Sequence, residues 1–350
     1  MNVYIDFENF KSLINSKEDP HHDLAISIFR KQLNRLFNFD KRRISQESKM
    51  VAWAQANLLQ GSGKTTNQYN FDPFSNRPIT GKSYKELTNS KSCGIYLLDD
   101  SGIENLKKSN SVVVGGVNEE VDKLISMLIF DDNSETHEFH IQKVISEKEF
   151  SSWEKLQSYK SPFSTILFID RYMFKGPEVG GNLGLFENNI GQILKVFYEE
   201  HNSLTRLIFV YQINKHQVEI GQRDYDAGPD IEKLVKQIKK TIKNVSKNCP
   251  APEIIFVGMP KGHIKADHDR NIISNYIRIK TGGGVMIFDT KGNNVSGSND
   301  FDIYSLSRTN YSNACKELKD KISALIIETV DQFGDSCSLD GVSKFDIVNF

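Results

Sequence analysis

The residues best suited to chemistry are His268-Asp269-Arg270-Asn271-Ile272-Ile273-Ser274-Asn275. A histidine two positions before a cation, with a polar side chain five further on, fits phosphoryl transfer through a phosphohistidine. The imidazole of His268 would attack phosphorus while Arg270 neutralises the phosphate oxygens. Alternate residues of an extended chain share a face, so both could meet one phosphate. Arginine can hold that phosphate through two parallel hydrogen bonds. Asn275 could orient a catalytic histidine, but it brings no negative charge to the task. Lys265 adds a second phosphate-binding cation upstream. Asp170 and Arg171 follow the apolar run Thr165–Ile169 and would shape the rim, because ligands of open α/β sheets favour the carboxyl edge. The same residues also suit a structural role, with Asp269 or Asp170 paired to Arg270 and His268 capping a turn.

Other constellations are weaker. Residues 230–247 predict a helix with Ile231, Leu234, Val235, Ile238, Ile242 and Val245 inward. Lys233, Lys236 and Lys240, among six lysines there, could track a nucleic-acid backbone; a solvated face is the plainer account. Gly61-Ser62-Gly63-Lys64-Thr65-Thr66 has the tail of a phosphate loop, but Leu58 stands where the first glycine belongs. Asp6, Glu8 and Asn9 follow the first predicted strand, Asp99 and Asp100 follow Gly94–Leu98, and Asp131 and Asp132 follow a helix ending at Phe130. Clustered carboxylates of this kind could hold Mg²⁺ for phosphodiester hydrolysis, although acids are common at the ends of elements. His263, Asp267, His268 and Asp269 lie too close along an extended chain for many to share one ion. His21 and His22 read as exposed loop residues. The leading reading therefore needs no metal and no cofactor.

Three stretches carry a family resemblance: ILFIDRYMF (166–174), HDRNIISNYIRIKTGGGVMIFD (268–289) and DFDIYSL (300–306). Together they resemble the phospholipase-D-like domain at the C-terminus of MIT-domain proteins, and bacterial proteins with a similar HDR segment. The resemblance spans about residues 163–310. Against the phospholipase D pattern HxK(x)4D, Arg270 stands for Lys and Asn275 for Asp. It implies a single lobe, which in the MIT-associated members is non-catalytic, binds acidic phospholipid and dimerises. One lobe supplies one histidine, so turnover would require a homodimer that pairs two His268 side chains. No MIT helical bundle is evident in residues 1–160. The opening YIDFEN (4–9) loosely resembles PIN- or NYN-like nucleases.

Composition bounds these readings. At 350 residues the chain has room for about two domains. Its 38% hydrophobic and 25% charged residues predict packed cores. With 44 Lys+Arg against 45 Asp+Glu, bulk positive charge is excluded, and any contact with nucleic acid must come from a local patch. MNVYIDFENF has no basic start followed by an apolar run, so a signal peptide is not expected. No apolar stretch approaches the 18 residues of a membrane span. Cys93, Cys249, Cys315 and Cys337 are widely spaced and read as reduced thiols of a cytoplasmic protein.

The elements that must position the candidate residues alternate between strand and helix, which predicts an α/β protein in two parts. Residues 1–160 form an α/β domain of unknown type, with a strand at 2–5, a helix carrying Ile28, Phe29, Leu33, Leu36 and Phe37, and a long polar excursion near 60–92. Trp153–Pro162 reads as the boundary. Residues 161–310 form the phospholipase-D-like lobe, a mixed sheet flanked by helices, in which Tyr276–Ile279 and Val285–Phe288 make a hairpin around Gly282–Gly284. Residues 311–350 supply a C-terminal helix over 313–333 and a tail. The function expected is recognition of phosphodiesters, with nuclease action on nucleic acid, by analogy in a bacterial defence setting. The alternative is a non-catalytic binding or scaffold module for a protein or acidic phospholipid partner, with a degenerate motif.

Overall fold

The computed structural model describes, with a few positions excepted, residues 2–15, 34–58, 69–70, 95–97, 113–115, 142–145, 150–174, 183–213, 231–260, 270–295, 301–306, 315–318 and 339–340. The protein is α/β. Backbone proximity divides it into two compact units, Met1–Ile141 with Ser305–Asn313, and Gln142–Tyr304 with Ala314–Phe350.

The first unit holds strands β1 (Asn2–Ile5), β2 (Asn34–Phe37), β3 (Tyr69–Asn70), β4 (Ile95–Leu97) and β5 (Val113–Gly115). Their order is β3-β2-β1-β4-β5, and every adjacent pair is parallel. Helix α1 (Phe7–Asn15) leaves β1 directly, and α2 (Ser48–Leu58) follows a 3-10 turn at Lys41–Gln46. Phe10 packs edge-on to Trp53 at 4.9 Å between ring centroids, locking α1 to α2. Leu36 and Phe37 belong to strand β2, not to the helix that periodicity predicts. Four residues paired in register with β1 outweigh a weak helical pattern. Residues 28–33 of that expected helix, the stretch 60–68 with its glycines, and Asp99, Asp100, Asp131 and Asp132 lie outside the described residues.

The second unit is built on a mixed sheet. Its strands are β6 (Gln142–Ile145), β7 (Thr165–Ile169), β8 (Arg206–Ile213), β9 (Glu253–Pro260), β10 (Arg270–Ile273), β11 (Ile277–Thr281), β12 (Phe301–Ser305) and β13 (Leu339–Asp340). They run in the order β13-β9-β8-β7-β10-β11-β12-β6. Strands β7, β8 and β9 are parallel; β10 turns back antiparallel on β7. All five residues of β7 are buried, as a continuous apolar run covered on both faces requires. Phe168, Phe209 and Phe256 stand in register on the three parallel strands and stack at 4.9 and 5.1 Å. Each such pair adds about 0.5–1.5 kcal/mol beyond its buried area.

Helices α3 (Leu183–Asn188) and α4 (Ile190–Tyr198) carry the chain from β7 to β8, and α5 (Ile231–Val245) lies between β8 and β9. Successive crossovers in one direction share a face of the sheet. Helix α5 buries Leu234, Ile238, Thr241 and Ile242, the i, i+4, i+7, i+8 stripe. Glu232 in its first turn and Lys243 in its last suit the helix dipole. The single helix expected over 187–201 is divided at Asn189, whose side chain serves the core. It accepts from the Trp153 indole at 3.4 Å and from Phe288 N at 2.9 Å, and donates to Leu185 O and Phe288 O. Trp153 is fully buried against Phe150 and Phe301, and Leu156 is buried with it, so the start of the expected boundary packs into this unit's core.

The expected hairpin is also different. Strand β11 pairs with β10, in the register Arg270↔Thr281 to Ile273↔Arg278. The Ser274 hydroxyl accepts from Tyr276 N and Ile277 N and tightens that turn. Val285–Phe288 is not a strand, and only Phe288 forms an isolated bridge, with Asn294. Cys315 and Leu318 are buried, while most of the helix expected over 313–333 lies outside the described residues. Among the described residues no helix is long and apolar enough to cross a membrane.

Candidate functional site

Strand β7 ends at Ile169, and the chain turns sharply through residues 171–174. Asp170 opens that turn with only 2% of its surface exposed. One carboxylate oxygen accepts from Tyr172 N at 2.8 Å and the other from Val285 N at 2.9 Å. The 282–284 glycine loop thereby closes over the end of β7. Gly284 has φ +115, and a Cβ there would meet Asp170 Oδ2 at 2.8 Å. Only glycine fits this position.

Arg270 begins β10 beside this carboxylate. Its Nε lies 3.9 Å from Asp170 Oδ1, and its Nη1 donates to Gly282 O. Its guanidinium carbon stands 5.6 Å from the Tyr172 ring centroid, and Tyr172 is 43% exposed. Burial pushes the Asp170 carboxyl above its ordinary range; the N–H groups of Val285 and Tyr172 and the charge of Arg270 pull it back. The result is a cation oriented by a buried acid and flanked by an open aromatic ring. It stands at the carboxyl edge of three parallel strands, where ligands of α/β sheets bind.

The remaining expected site residues divide sharply. Arg171 is partly exposed, and its carbonyl accepts from Gln212 N, tying the turn to β8. Asn275 does not join Arg270. Its Oδ1 accepts from Ser164 N at 2.7 Å and Thr165 N at 3.3 Å, at the opposite end of β7. Five strand residues separate the two ends, about 16 Å at 3.3 Å per residue. The side chain expected to orient the histidine instead holds the start of β7. His268 and Lys265 lie outside the described residues. Lys236 and Lys240 are exposed on α5, and Lys233 is partly covered. Lys236 pairs loosely with Glu232 at 4.0 Å.

Sequence reasoning placed Tyr172 at this strand end with Asp170 and Arg171, but missed its ring as a neighbour of Arg270 and missed Gly284. A glycine triplet facing an Asp-Arg-Tyr strand end was the available signal, but it read as a hairpin turn.

The first unit has a comparable carboxyl edge. The sheet order places β2 and β3 on one side of β1, and β4 and β5 on the other. The strand order therefore reverses between β1 and β4, the place where open α/β sheets form a crevice. Ile5 and Leu97 end these two strands in register. Asp6 follows Ile5, is partly exposed and opens α1; its carbonyl accepts from Phe10 N at 2.9 Å. Asn9, one turn into α1, is 2% exposed. Among the described residues no three His, Cys, Asp or Glu side chains gather around a common point.

Comparison with protein-family models, with curated proteins and with solved structures finds no match.

Proposed function

We propose that this protein cleaves phosphodiester bonds of nucleic acid, with the first unit as the catalytic part. The observation that carries the reading is the parallel order β3-β2-β1-β4-β5, with Asp6 directly after the central strand. The chain reaches Asp99 two residues beyond β4, the strand in register with β1. Both carboxylates therefore belong to the segments that leave the switch point. The loose PIN- or NYN-like resemblance of YIDFEN points the same way.

Carboxylate oxygens are the donors a hard divalent cation takes, and Asp6 and Asp99 would hold one. When bound, such an ion supplies charge neutralisation at the phosphate and lowers the pKa of water. The chain's own contribution is to fix the Asp6 backbone at the start of α1, where its carbonyl accepts from Phe10 N and the residue is partly exposed. Labelled RNA and DNA, single- and double-stranded, should be cut by the purified chain in Mg²⁺ or Mn²⁺ and not in EDTA. Asp6→Asn and Asp99→Asn should each abolish cutting while leaving the melting temperature in place. Parental cleavage by Asp6→Asn would overturn the reading.

A second reading concerns the second unit, and the oriented Arg270 favours it. As a phospholipase-D-like lobe, this unit would hold a phosphodiester on Arg270 and Lys265, with His268 as nucleophile if two copies pair as a homodimer. The displacement of Asn275 from that edge favours binding over turnover. His268→Ala would then leave hydrolysis of nucleic acid and of bis-p-nitrophenyl phosphate unchanged. A triple Glu variant at Lys233, Lys236 and Lys240 tests the lysine strip through the salt dependence of binding. Flotation with acidic vesicles tests a phospholipid partner. A cytoplasmic location and a role in bacterial defence belong to the same proposal.

A further inference from the structure

The 3-10 turn Lys41–Gln46 follows β2 in the first unit, and it is pinned to α1 at three points. Phe39 packs on Phe7 at 5.2 Å and on Phe10 at 5.5 Å. The Arg43 guanidinium lies 3.8 Å over the Phe7 ring, with its Nη2 3.5 Å from Glu8 Oε1. Glu47, just past the turn, takes the Lys11 ammonium at 2.5 Å. Strands β1 and β2 end in register at Ile5↔Phe37. The residues that follow both strands therefore leave the same edge of the sheet, about 4.8 Å apart. Arg43 is held on Phe7 and Glu8, the two residues after Asp6, Arg42 precedes it in the same turn, and both are exposed.

We infer that Arg42 and Arg43 grip the phosphates of a nucleic-acid strand whose scissile bond lies at Asp6. The inference rests on the proposed cleavage site and names its substrate as a polymer. Two guanidinium groups at one edge offer separate contacts to successive phosphates, which a strand supplies and a single phosphoester does not. The ion pair of Arg43 with Glu8 is exposed on both sides, so it is weak and a phosphate can displace it. The aromatic contact with Phe7 keeps the guanidinium in place as that exchange occurs. Nothing in the net charge of −1 announces these two cations. Glu8 and Glu47 offset them in composition, while Lys11 occupies Glu47 in space.

The test is binding of a labelled 20-nucleotide single strand to the full chain in EDTA, across a range of salt concentrations. Cleavage is silent there, so failure of the Asp6 reading would show separately, in the Mg²⁺ assay. Losing two phosphate contacts should lower the slope of log K against log salt by about 1.4 in Arg42→Gln/Arg43→Gln. The ratio of parental to variant affinity should then be about 25-fold larger at 0.1 M than at 1 M. Arg42→Lys/Arg43→Lys should keep the slope. An unchanged slope in a Gln variant with parental melting would overturn the inference. If the double variant melts early, Arg42→Glu alone decides, because that side chain is exposed; parental affinity there also overturns it. Polyglutamate binding as tight as the nucleic acid would assign the two arginines to an acidic polypeptide instead, and would overturn the inference too.

Discussion

Replacing Gly284 with Ala tests the architecture around Asp170 directly. The positive φ of +115 would cost a side chain about 1–3 kcal/mol. The new Cβ would also sit 2.8 Å from Asp170 Oδ2. That oxygen must retreat by about half an ångström to reach ordinary contact, which disrupts its 2.9 Å bond from Val285 N. A hydrogen bond to a charged group contributes about 1.5–3 kcal/mol. Reduced freedom of the unfolded chain returns about 0.4–1 kcal/mol. The net expectation is about 3 kcal/mol, or a melting temperature lower by roughly 6–12 °C for a unit of this size. Urea unfolding followed by Trp153 fluorescence in a Trp53→Phe background would report the second unit alone, since the chain has 2 tryptophans. Gly292→Ala is the control. It shares a positive φ of +84, but its added Cβ comes no closer than 3.9 Å to Asn188 Nδ2, so it carries strain without collision. If Gly284→Ala costs no more than Gly292→Ala, the close approach to Asp170 is not a structural constraint, and the reasoning fails.

Two further outcomes follow from the same edge of the sheet. An acid whose pKa is raised on folding takes stability away as pH rises from its unfolded value through its folded one. Arg270→Met removes an attraction that opposes the rise at Asp170, so its stability deficit should widen as pH increases from about 4, the unfolded Asp value. Urea midpoints between pH 3 and 8 would show this; a deficit constant across that range would contradict it. Asn275→Ala should cost about 2 kcal/mol, because Ser164 N and Thr165 N lose their acceptor. Affinity for a phosphodiester probe should stay at the parental value, and weaker binding by a folded variant would return Asn275 to the anion site.

The sequence made some of this plain and concealed the rest for definite reasons. Strand β7 was readable residue for residue, because five consecutive buried positions leave an unbroken apolar run. Helix α5 was readable because its inward stripe repeats with helical period. Leu36 and Phe37 misled, because a four-residue strand between polar stretches has no alternation to display and draws its stability from β1. Asn189 could not be foreseen as a helix break: its role depends on Trp153 and Phe288, 36 and 99 residues away. The Arg270–Asp170 pair was foreseen as one structural option, since a charged strand end next to a basic strand start suggests it. The removal of Asn275 to the far end of β7 was not, because spacing along the chain says nothing about which end of a neighbouring strand a turn will reach. Arg42 and Arg43 were invisible as a feature until parallel pairing brought the ends of β1 and β2 to one edge.

The division of the chain carries a consequence for its biosynthesis. Backbone proximity groups Ser305–Asn313 with Met1–Ile141 in the first unit. During translation its N-terminal strands emerge first, yet its final segment arrives about 170 residues later, roughly 10–30 s at 5–20 residues per second. Meanwhile the second unit's parallel strands β7, β8 and β9 are already exposed for pairing. The segments of the first unit are thus translated on either side of the whole of strands β7 to β11.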